Sequence, residues 1–380
     1  MDPQERLKIL SSEMDFELAE DHRCPQIESN KKYSGFVHNA VMQNGKTIPL
    51  LKTLLTSACE RDCHYCPFRA GRNFRRTTLK PIEMAQIFMG MHRAGIVEGL
   101  FLSSGLIGGG ISTQDRLIDT AEILRKKLGF KGYLHLKIMP GAEIDQVEQA
   151  MKLANRVSIN LEAPNAKRLR ILAPHKAFGE ELLQPLKWIE GIRANTSRNV
   201  TWNGRWPSVV TQFVVGGAGE SDVELLSTTE YLYRELSLRR AYYSPFNPVK
   251  DTPLESQPAT KLQRESRLYQ ASFLIRDYGF SMEELPFNQH GNLPEDADPK
   301  LSWARLNLIE NPIEINKAGK EELLRIPGIG PKGAATLLRE RKVNQLRSVE
   351  ELHRIGINLA RAEPFILIDG QRPSHQLSLF

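Results

Sequence analysis

Apolar residues come in short runs along the first two thirds of the chain. These runs predict six β-strands, over residues 51–56, 99–104, 133–139, 156–161, 209–215 and 241–244. Between several of them, apolar residues recur at helical spacing and predict helices over residues 81–94, 114–128 and 221–236. Alternating strands and helices are typical of a parallel sheet built from βα units. Six units are too few for a closed eight-stranded barrel, so the pattern predicts an α/β fold with a partial (β/α)6 barrel.

Five of the predicted strands run into small or polar residues at their carboxyl ends. Examples are Ser103-Ser104-Gly105, Asn160-Leu161-Glu162 and the glycine-rich residues 216–220. Taken singly, such residues are most simply turn formers. Because βα barrels place their chemistry at the carboxyl ends of the strands, the recurrence favours a binding site at this edge.

The last quarter of the chain has a different pattern. Residues 288–310 are polar and punctuated by proline, and they predict a linker. Residues 311–370 predict a small all-α domain in which two helices flank Pro327, Gly328, Ile329 and Gly330, the pattern of a helix–hairpin–helix element. Such a hairpin approaches a phosphate closely, and the second helix adds N–H groups and Lys332. The alternatives are an ordinary tight turn and a protein-binding module.

The composition excludes several classes of protein. With 41% hydrophobic and 25% charged residues among 380, the chain is globular and long enough for more than one domain. Four cysteines, three of them close together, exclude a disulfide-stapled secreted scaffold. The charged first residues are not those of a signal peptide, and no apolar run approaches the roughly 20 residues of a membrane helix. We therefore expect a cytoplasmic protein that does not contact a membrane.

Cys59, Cys63 and Cys66 have the spacing C-x3-C-x2-C directly after the first predicted strand. Cysteine thiolates are the ligands of iron–sulfur clusters, and close spacing lets one loop wrap a cluster. Three ligands would leave one iron open. A zinc site would need a fourth ligand, for which His64 is awkwardly placed between the cysteines. Cys24 is distant in sequence and is most simply a buried thiol.

The cysteine spacing, Tyr65 before the last cysteine and the βα pattern resemble the radical S-adenosylmethionine (SAM) superfamily. The resemblance implies a [4Fe–4S] cluster on the three cysteines, with SAM chelated to the open iron. Reduction by a flavodoxin- or ferredoxin-type donor would then cleave SAM to a 5′-deoxyadenosyl radical that abstracts a hydrogen atom.

The same resemblance implies which side chains and backbone positions contact SAM. They are Tyr65, Ser103, Ser104, Gly105, Ser158, Asn160, Glu162, Gly216, Gly217 and Glu220. The turn at Ser103-Ser104-Gly105 lacks the acidic residue that the superfamily has there for the methionine amino group. The alternative for Glu162 and Glu220 is a solvated carboxylate or a charge at a helix N-terminus.

Positive charge is concentrated beside the cysteines. The chain carries a formal charge of +6, and residues 61–80 contain six basic side chains against one acidic one. A charge run is usually a solvated face. At the mouth of a barrel it favours a collar for DNA phosphates, with Arg72, Arg75 and Arg76 as contacts. A second basic group that includes Lys176 would extend this collar.

The chain ends in Gln376-Leu377-Ser378-Leu379-Phe380. This segment resembles the short peptide by which bacterial repair and replication proteins bind the DNA sliding clamp. Gln376, Leu377, Leu379 and Phe380 would be the contacts, since a polar residue with apolar anchors suits a preformed groove. The alternative is a tail that folds back on the protein.

Together the cysteine loop, the hairpin and the tail resemble a family of DNA modification/repair radical SAM proteins, from about residue 48 to 368. The implied domains are an N-terminal extension (1–47), the barrel (48–287), the linker (288–310), the helix–hairpin–helix domain (311–370) and a flexible tail (371–380). The implied function is repair or modification of a DNA nucleotide, in a cytoplasmic, nucleoid-associated protein. The alternatives are an RNA-modifying radical SAM enzyme and a non-enzymatic iron–sulfur adaptor on DNA.

Overall fold

The computed structural model describes residues 2–12, 14, 37–41 and 46–373. Cys24 and the predicted clamp-binding residues 376–380 lie outside the described residues. The chain divides into two compact units, one of residues 1–220 and 231–261 and the other of residues 221–230 and 262–380. Within the described residues, no helix is long and apolar enough to span a membrane.

The first unit is built on a seven-stranded sheet whose strand order follows the chain. The strands are β1 (Val37–Val41), β2 (Thr47–Leu54), β3 (Gly99–Ser103), β4 (Tyr133–Lys137), β5 (Arg156–Ser158), β6 (Ser208–Val215) and β7 (Arg240–Pro245). β1 is antiparallel to β2, and β2 to β7 are parallel. Among the described strands β1 and β7 do not pair, so the sheet stays open. This is the predicted partial (β/α)6 barrel.

Helices alternate with these strands along the chain. They are α1 (Pro3–Ser12), α2 (Pro81–Arg93), α3 (Gly109–Glu122), α4 (Ile144–Leu153), α5 (Ala166–Leu172), α6 (Gln184–Asn195) and α7 (Asp222–Glu235). α3 contacts β4, α4 contacts β5, and α2, α3, α4 and α6 contact one another in turn. α3 begins five residues before the predicted start, because its glycine-rich first turn shows no apolar periodicity.

The two faces of the parallel strands differ in polarity. Leu100, Leu102, Leu134, Leu136 and Val157 are fully buried and alternate with residues of the opposite face. We call these positions the helix face. The opposite positions, called the cavity face, include residues that line a cavity described below.

The second unit is mainly helical. Its elements are α8 (Leu262–Tyr278), α9 (Pro299–Asn307), β8 (Ile313–Glu314), α10 (Lys320–Arg325), α11 (Pro331–Glu340), α12 (Val349–Arg354), α13 (Leu359–Ala362) and β9 (Ile366–Leu367). β8 and β9 pair in parallel. The apolar residues of α10 and α11, among them Leu323, Leu324, Ala334 and Leu337, join one core with Ile315 and Phe365.

The structure corrects the predicted linker over residues 288–310. α9 lies inside this range, and Ala304 and Leu308 belong to the core of the second unit. The Asp298 carboxylate accepts a hydrogen bond from Leu301 N at 3.0 Å and Pro299 follows as the first helical residue. A proline at the first helical position favours the start of a helix. Pro299 therefore marks a helix and not the linker that the proline-rich composition predicted.

Candidate active site

A cavity lies at the carboxyl ends of the parallel strands. Its volume is about 910 Å³, counting its open mouth. It is lined by Cys59, Cys63 and Cys66 together with six of the predicted SAM contacts, Tyr65, Ser103, Ser104, Gly105, Asn160 and Glu162. The structure thus brings the cysteines and the ends of three strands to one place.

The cysteine loop is tied to the segment between β3 and α3. The Glu60 carboxylate accepts hydrogen bonds from the N–H groups of Gly108 and Gly109 at 3.0 and 3.1 Å. Leu106 N lies 3.5 Å from the Cys59 sulfur. A Cβ atom on Gly105 would overlap the carbonyl of Ala58, so only glycine lets the two segments pass this closely.

The three cysteines suit an iron–sulfur cluster better than a single ion. They are free thiols that line one cavity. In the part of the chain that the structure describes, no three His, Cys, Asp or Glu side chains converge closely enough to hold one metal ion. A cluster distributes its protein ligands over several iron atoms, so its thiolates share a cavity without meeting at a point. His64 Nδ1 lies 2.9 Å from the Ile171 carbonyl oxygen.

Burial raises the pKa of the Cys63 thiol and of the Cys66 thiol. A buried thiolate requires a nearby cation, and iron supplies such a charge when it is bound. The donor set and its surroundings therefore fit the cluster.

A buried ion pair stands in the cavity wall beside Cys63. Lys176 Nζ lies 3.0 Å from Glu162 Oε1, and the two side chains are 9% and 6% exposed. Desolvation lowers the pKa of Lys176, but the negative charges of Cys63 and Glu162 outweigh it, so the net shift is upward. Burial also raises the pKa of Tyr65, and Glu162 adds to that shift. Lys176 is thus part of the cavity and not of a surface collar.

The backbone at Glu162 is strained. Its φ angle is 64°, in the left-handed region that few residues other than glycine adopt. β6 holds it there, because Glu162 N donates to Gln212 O at 3.0 Å and Val214 N donates to Glu162 O at 2.8 Å. Strain that neighbouring elements enforce is common at functional sites. The burial of Glu162 excludes the solvated-carboxylate alternative.

Four predicted SAM contacts do not line the cavity. Ser158 is buried in β5 below it, and Gly216, Gly217 and Glu220 lie in the loop after β6. The Glu220 carboxylate accepts hydrogen bonds from Gly216 N and, at 3.2 Å, from Ala218 N. Glu220 therefore closes its own loop in this structure.

Two of the three predicted phosphate contacts near the cysteines hold the loop together. Arg72 donates to the carbonyl oxygens of Lys250 and Pro67, both at 3.0 Å. Arg76 donates to the Phe68 and Arg69 carbonyl oxygens at 3.2 and 3.0 Å. Arg75 is exposed. Phosphate binding by this group stays a prediction.

The hairpin between α10 and α11 packs partly on its own unit. Gly328 has a φ angle of +87°, and a Cβ atom there would overlap the Asn358 carbonyl. Lys300 Nζ donates to Ile329 O at 2.6 Å, and burial lowers the pKa of Lys300 to about 7. Gly330 is the N-cap of α11, and Lys332 after it is exposed.

Sequence reasoning missed four polar residues that line the cavity. These are Lys137, Gln212 and, in this role, Arg61 and Lys176. Polar residues at alternate positions of β4 and β6 were the available signal, because alternation marks one face of a strand. No pattern in the sequence pairs Lys176 with Glu162, since the two residues belong to different segments that meet only in the fold.

Comparisons with known proteins match the part of the chain that carries this cavity. Residues 53–232 match the Radical SAM superfamily. A curated relative, uncharacterized protein MJ0785 of Methanocaldococcus jannaschii, is 21% identical over 311 residues, which are 71% of this chain and 76% of the relative.

Two solved structures match part of the chain. The FeFe-hydrogenase maturase HydG from Carboxydothermus hydrogenoformans has a TM-score of 0.47 and 15% identity, over 60% of this chain and 51% of that chain. Methylornithine synthase (PylB) has a TM-score of 0.46 and 14% identity, over 60% of this chain and 61% of that chain. The chain thus spans between half and two thirds of the length of these two proteins.

The chain contains a radical SAM domain. This domain supports an enzyme with radical SAM chemistry over the non-enzymatic adaptor. Its cofactors are a [4Fe–4S] cluster and SAM, and Cys59, Cys63 and Cys66 form the expected motif. When bound, the two cofactors supply a 5′-deoxyadenosyl radical.

Proposed function

We propose that this radical SAM enzyme acts on DNA, and that it repairs or modifies a nucleotide by hydrogen abstraction. The observation that carries the proposal is the hairpin between α10 and α11. Gly330 caps α11, and the exposed Lys332 stands in its first turn. Free N–H groups and a lysine at a helix N-terminus bind phosphate without reading sequence. Pro327, Gly328 and Ile329 shape the hairpin that presents them.

In the cavity, we propose that the strand ends hold SAM. Ser103, Ser104, Gly105 and Asn160 offer hydroxyl, carbonyl and amide groups there. Glu162 is the one acidic side chain among the described residues that line the cavity. It is therefore our candidate for the residue that binds a polar group of SAM. Lys176 holds this carboxylate in place through the 3.0 Å ion pair.

The cavity position has a consequence for the substrate. A nucleotide in a duplex cannot reach a radical held at the strand ends unless it leaves the base stack, which costs a few kcal/mol. We therefore expect damaged, mismatched or single-stranded positions to be preferred. The further partners that we propose are the sliding clamp, through residues 376–380, and a flavodoxin- or ferredoxin-type electron donor.

The test is anaerobic turnover of the reconstituted enzyme with reductant and SAM on oligodeoxynucleotides. The panel contains undamaged, damaged and modified strands with deuterium on sugar and base carbons. We expect one class to raise the release of 5′-deoxyadenosine and to transfer deuterium into it. Matched RNA strands are the control. Stimulation by RNA alone, or by neither nucleic acid, contradicts the DNA proposal.

A further inference from the structure

The segment that follows α5 is hydrogen-bonded to the cysteine loop at two points. Arg61, two residues before the middle cysteine, donates to the His175 carbonyl oxygen. His64, the residue after this cysteine, donates its N–H to the Leu172 carbonyl oxygen at 2.7 Å. We call residues 171–176 the clamp segment. Because it is bonded to the loop before and after the middle cysteine, the clamp segment has a fixed position beside this thiol.

Charged side chains strengthen this connection. Asp62 Oδ2 lies 2.7 Å from His175 Nδ1. Arg61 also forms an ion pair with Glu181, and the two side chains are 20% and 18% exposed. The other oxygen of this carboxylate accepts a hydrogen bond from Ala177 N at 2.7 Å. The backbone on the far side of the clamp segment is therefore tied to the cysteine loop as well.

The last residue of the clamp segment, Lys176, brings a positive charge to the cavity that Cys63 also lines. Burial raises the pKa of the Cys63 thiol; among the charged neighbours Lys176 acts most strongly and lowers it, while Glu162 raises it less. Burial also raises the pKa of Tyr65, and there Glu162 is the strongest charged neighbour. The ion pair is therefore oriented, with its ammonium towards Cys63 and its carboxylate towards Tyr65.

Charge beside an iron–sulfur cluster changes its reduction potential. Reduction adds an electron, so a positive charge nearby stabilises the reduced state and raises the potential, whereas a negative charge lowers it. The side chains of Lys176 and Glu162 are both buried, so water and salt screen their charges little. Because the ammonium acts more strongly at Cys63 than the carboxylate does, the two opposite effects do not cancel.

We propose that Lys176 raises the reduction potential of the [4Fe–4S] cluster and that Glu162 lowers it. The oriented pair thereby sets the potential at which an electron donor reduces the enzyme. The clamp segment holds Lys176, and the hydrogen bonds to β6 hold Glu162, so both charges keep their places. This role goes beyond the proposed function, because it does not depend on the substrate.

A redox titration of the anaerobically reconstituted full chain, without SAM or nucleic acid, tests the proposal. The cluster absorbance gives the reduction potential at each stage. Lys176→Met should lower the equilibrium constant for one-electron reduction about tenfold, which corresponds to about 59 mV. Glu162→Gln removes the opposite charge and should raise the potential. Shifts in opposite directions are expected of two opposite charges, whereas a general loosening of the cavity would move both variants in the same direction.

Two further variants are the controls. Lys131→Met makes the same charge change at an exposed position outside the cavity, and it should leave the potential unchanged. Lys176→Arg keeps the positive charge and should retain most of the wild-type potential. Thermal unfolding and iron content report folding and cluster loading. If Lys176→Met does not hold a cluster, the Glu162→Gln variant decides alone.

Three results would overturn the proposal. They are a loaded Lys176→Met variant with the wild-type potential, a Glu162→Gln variant whose potential does not rise, and shifts of both variants in the same direction. The outcome is independent of the DNA test, because the potential is measured without substrate. A failure of DNA to stimulate 5′-deoxyadenosine release would therefore leave the role of Lys176 intact.

Discussion

At the cavity, a single residue combines several structural features that its neighbours in the sequence do not predict. Glu162 combines a φ angle of 64° with a buried carboxylate paired to Lys176. Its backbone is bonded on both sides to β6. The hydrogen bonds of the backbone and the ion pair together hold the carboxylate in one orientation. A side chain that orients a bound group has to be held in this way.

Replacing Glu162 tests how much this pair matters to the fold. Glu162→Gln leaves the Lys176 ammonium buried without its counter-charge, so we expect the free energy of unfolding to fall by about 3 kcal/mol. Urea unfolding of the anaerobic protein measures it. Glu122→Gln is the control, because Glu122 pairs with Lys126 at the surface, and it should cost less than about 0.5 kcal/mol. Equal losses in the two variants would show that the buried pair has no special role.

The cysteine assignment is tested in the same way. Cys63→Ala should abolish the cluster absorbance of the reconstituted protein, since the remaining two thiols cannot hold the cluster. Cys24→Ala should leave the absorbance and the iron content unchanged. Retained absorbance in the Cys63 variant, or its loss in the Cys24 variant, contradicts the ligand set.

At the scale of elements, the strands were the most predictable part. All six predicted parallel strands are present, and most bounds differ by three residues or fewer at each end. Buried strands are easy to predict from the sequence because their apolar runs are bounded by glycine and polar residues. α9 was missed because Asp298-Pro299 marks a helix start as readily as a loop. The ion pair of Glu162 with Lys176 joins two segments that meet only in three dimensions, so local sequence patterns do not contain it.

The hairpin element gives a prediction with an internal control. Gly328 and Gly356 have φ angles of +87° and +84°, but a Cβ atom meets the Asn358 carbonyl at Gly328 and nothing within 4 Å at Gly356. Gly356→Ala should cost about 1 kcal/mol from the backbone conformation alone. Gly328→Ala should cost clearly more, because the overlap adds to the same strain. Chemical unfolding measures the free energy of unfolding of the two variants. Similar losses would mean that the hairpin can shift away from Asn358.

For the whole molecule, the division into two units separates two candidate sites. The first unit contains the cavity with the cysteines, and the second unit contains the hairpin before α11, through which we propose that the protein binds DNA. The domain with radical SAM chemistry followed from the cysteine spacing. The substrate does not follow from that domain, because one fold serves many substrates.

Binding of DNA by the second unit should be electrostatic. Lys332→Gln should weaken binding of any oligodeoxynucleotide and reduce the slope of log affinity against log salt by about 1, the share of one phosphate contact. Fluorescence anisotropy of the full chain measures it over a salt series. Lys320→Gln, an exposed lysine at the start of α10, is the control. An unchanged slope in the Lys332 variant would remove this residue from the DNA contact.

The cysteine loop is held by more than its thiolates. The Glu60 carboxylate accepts hydrogen bonds from Gly108 N and Gly109 N, and Arg76 donates to the carbonyl oxygens of Phe68 and Arg69. These bonds are made by protein groups, unlike the metal bonds that fold a zinc finger. The position of the loop therefore does not depend on iron–sulfur bonds alone, and the thiolates are presented by a frame of ordinary hydrogen bonds.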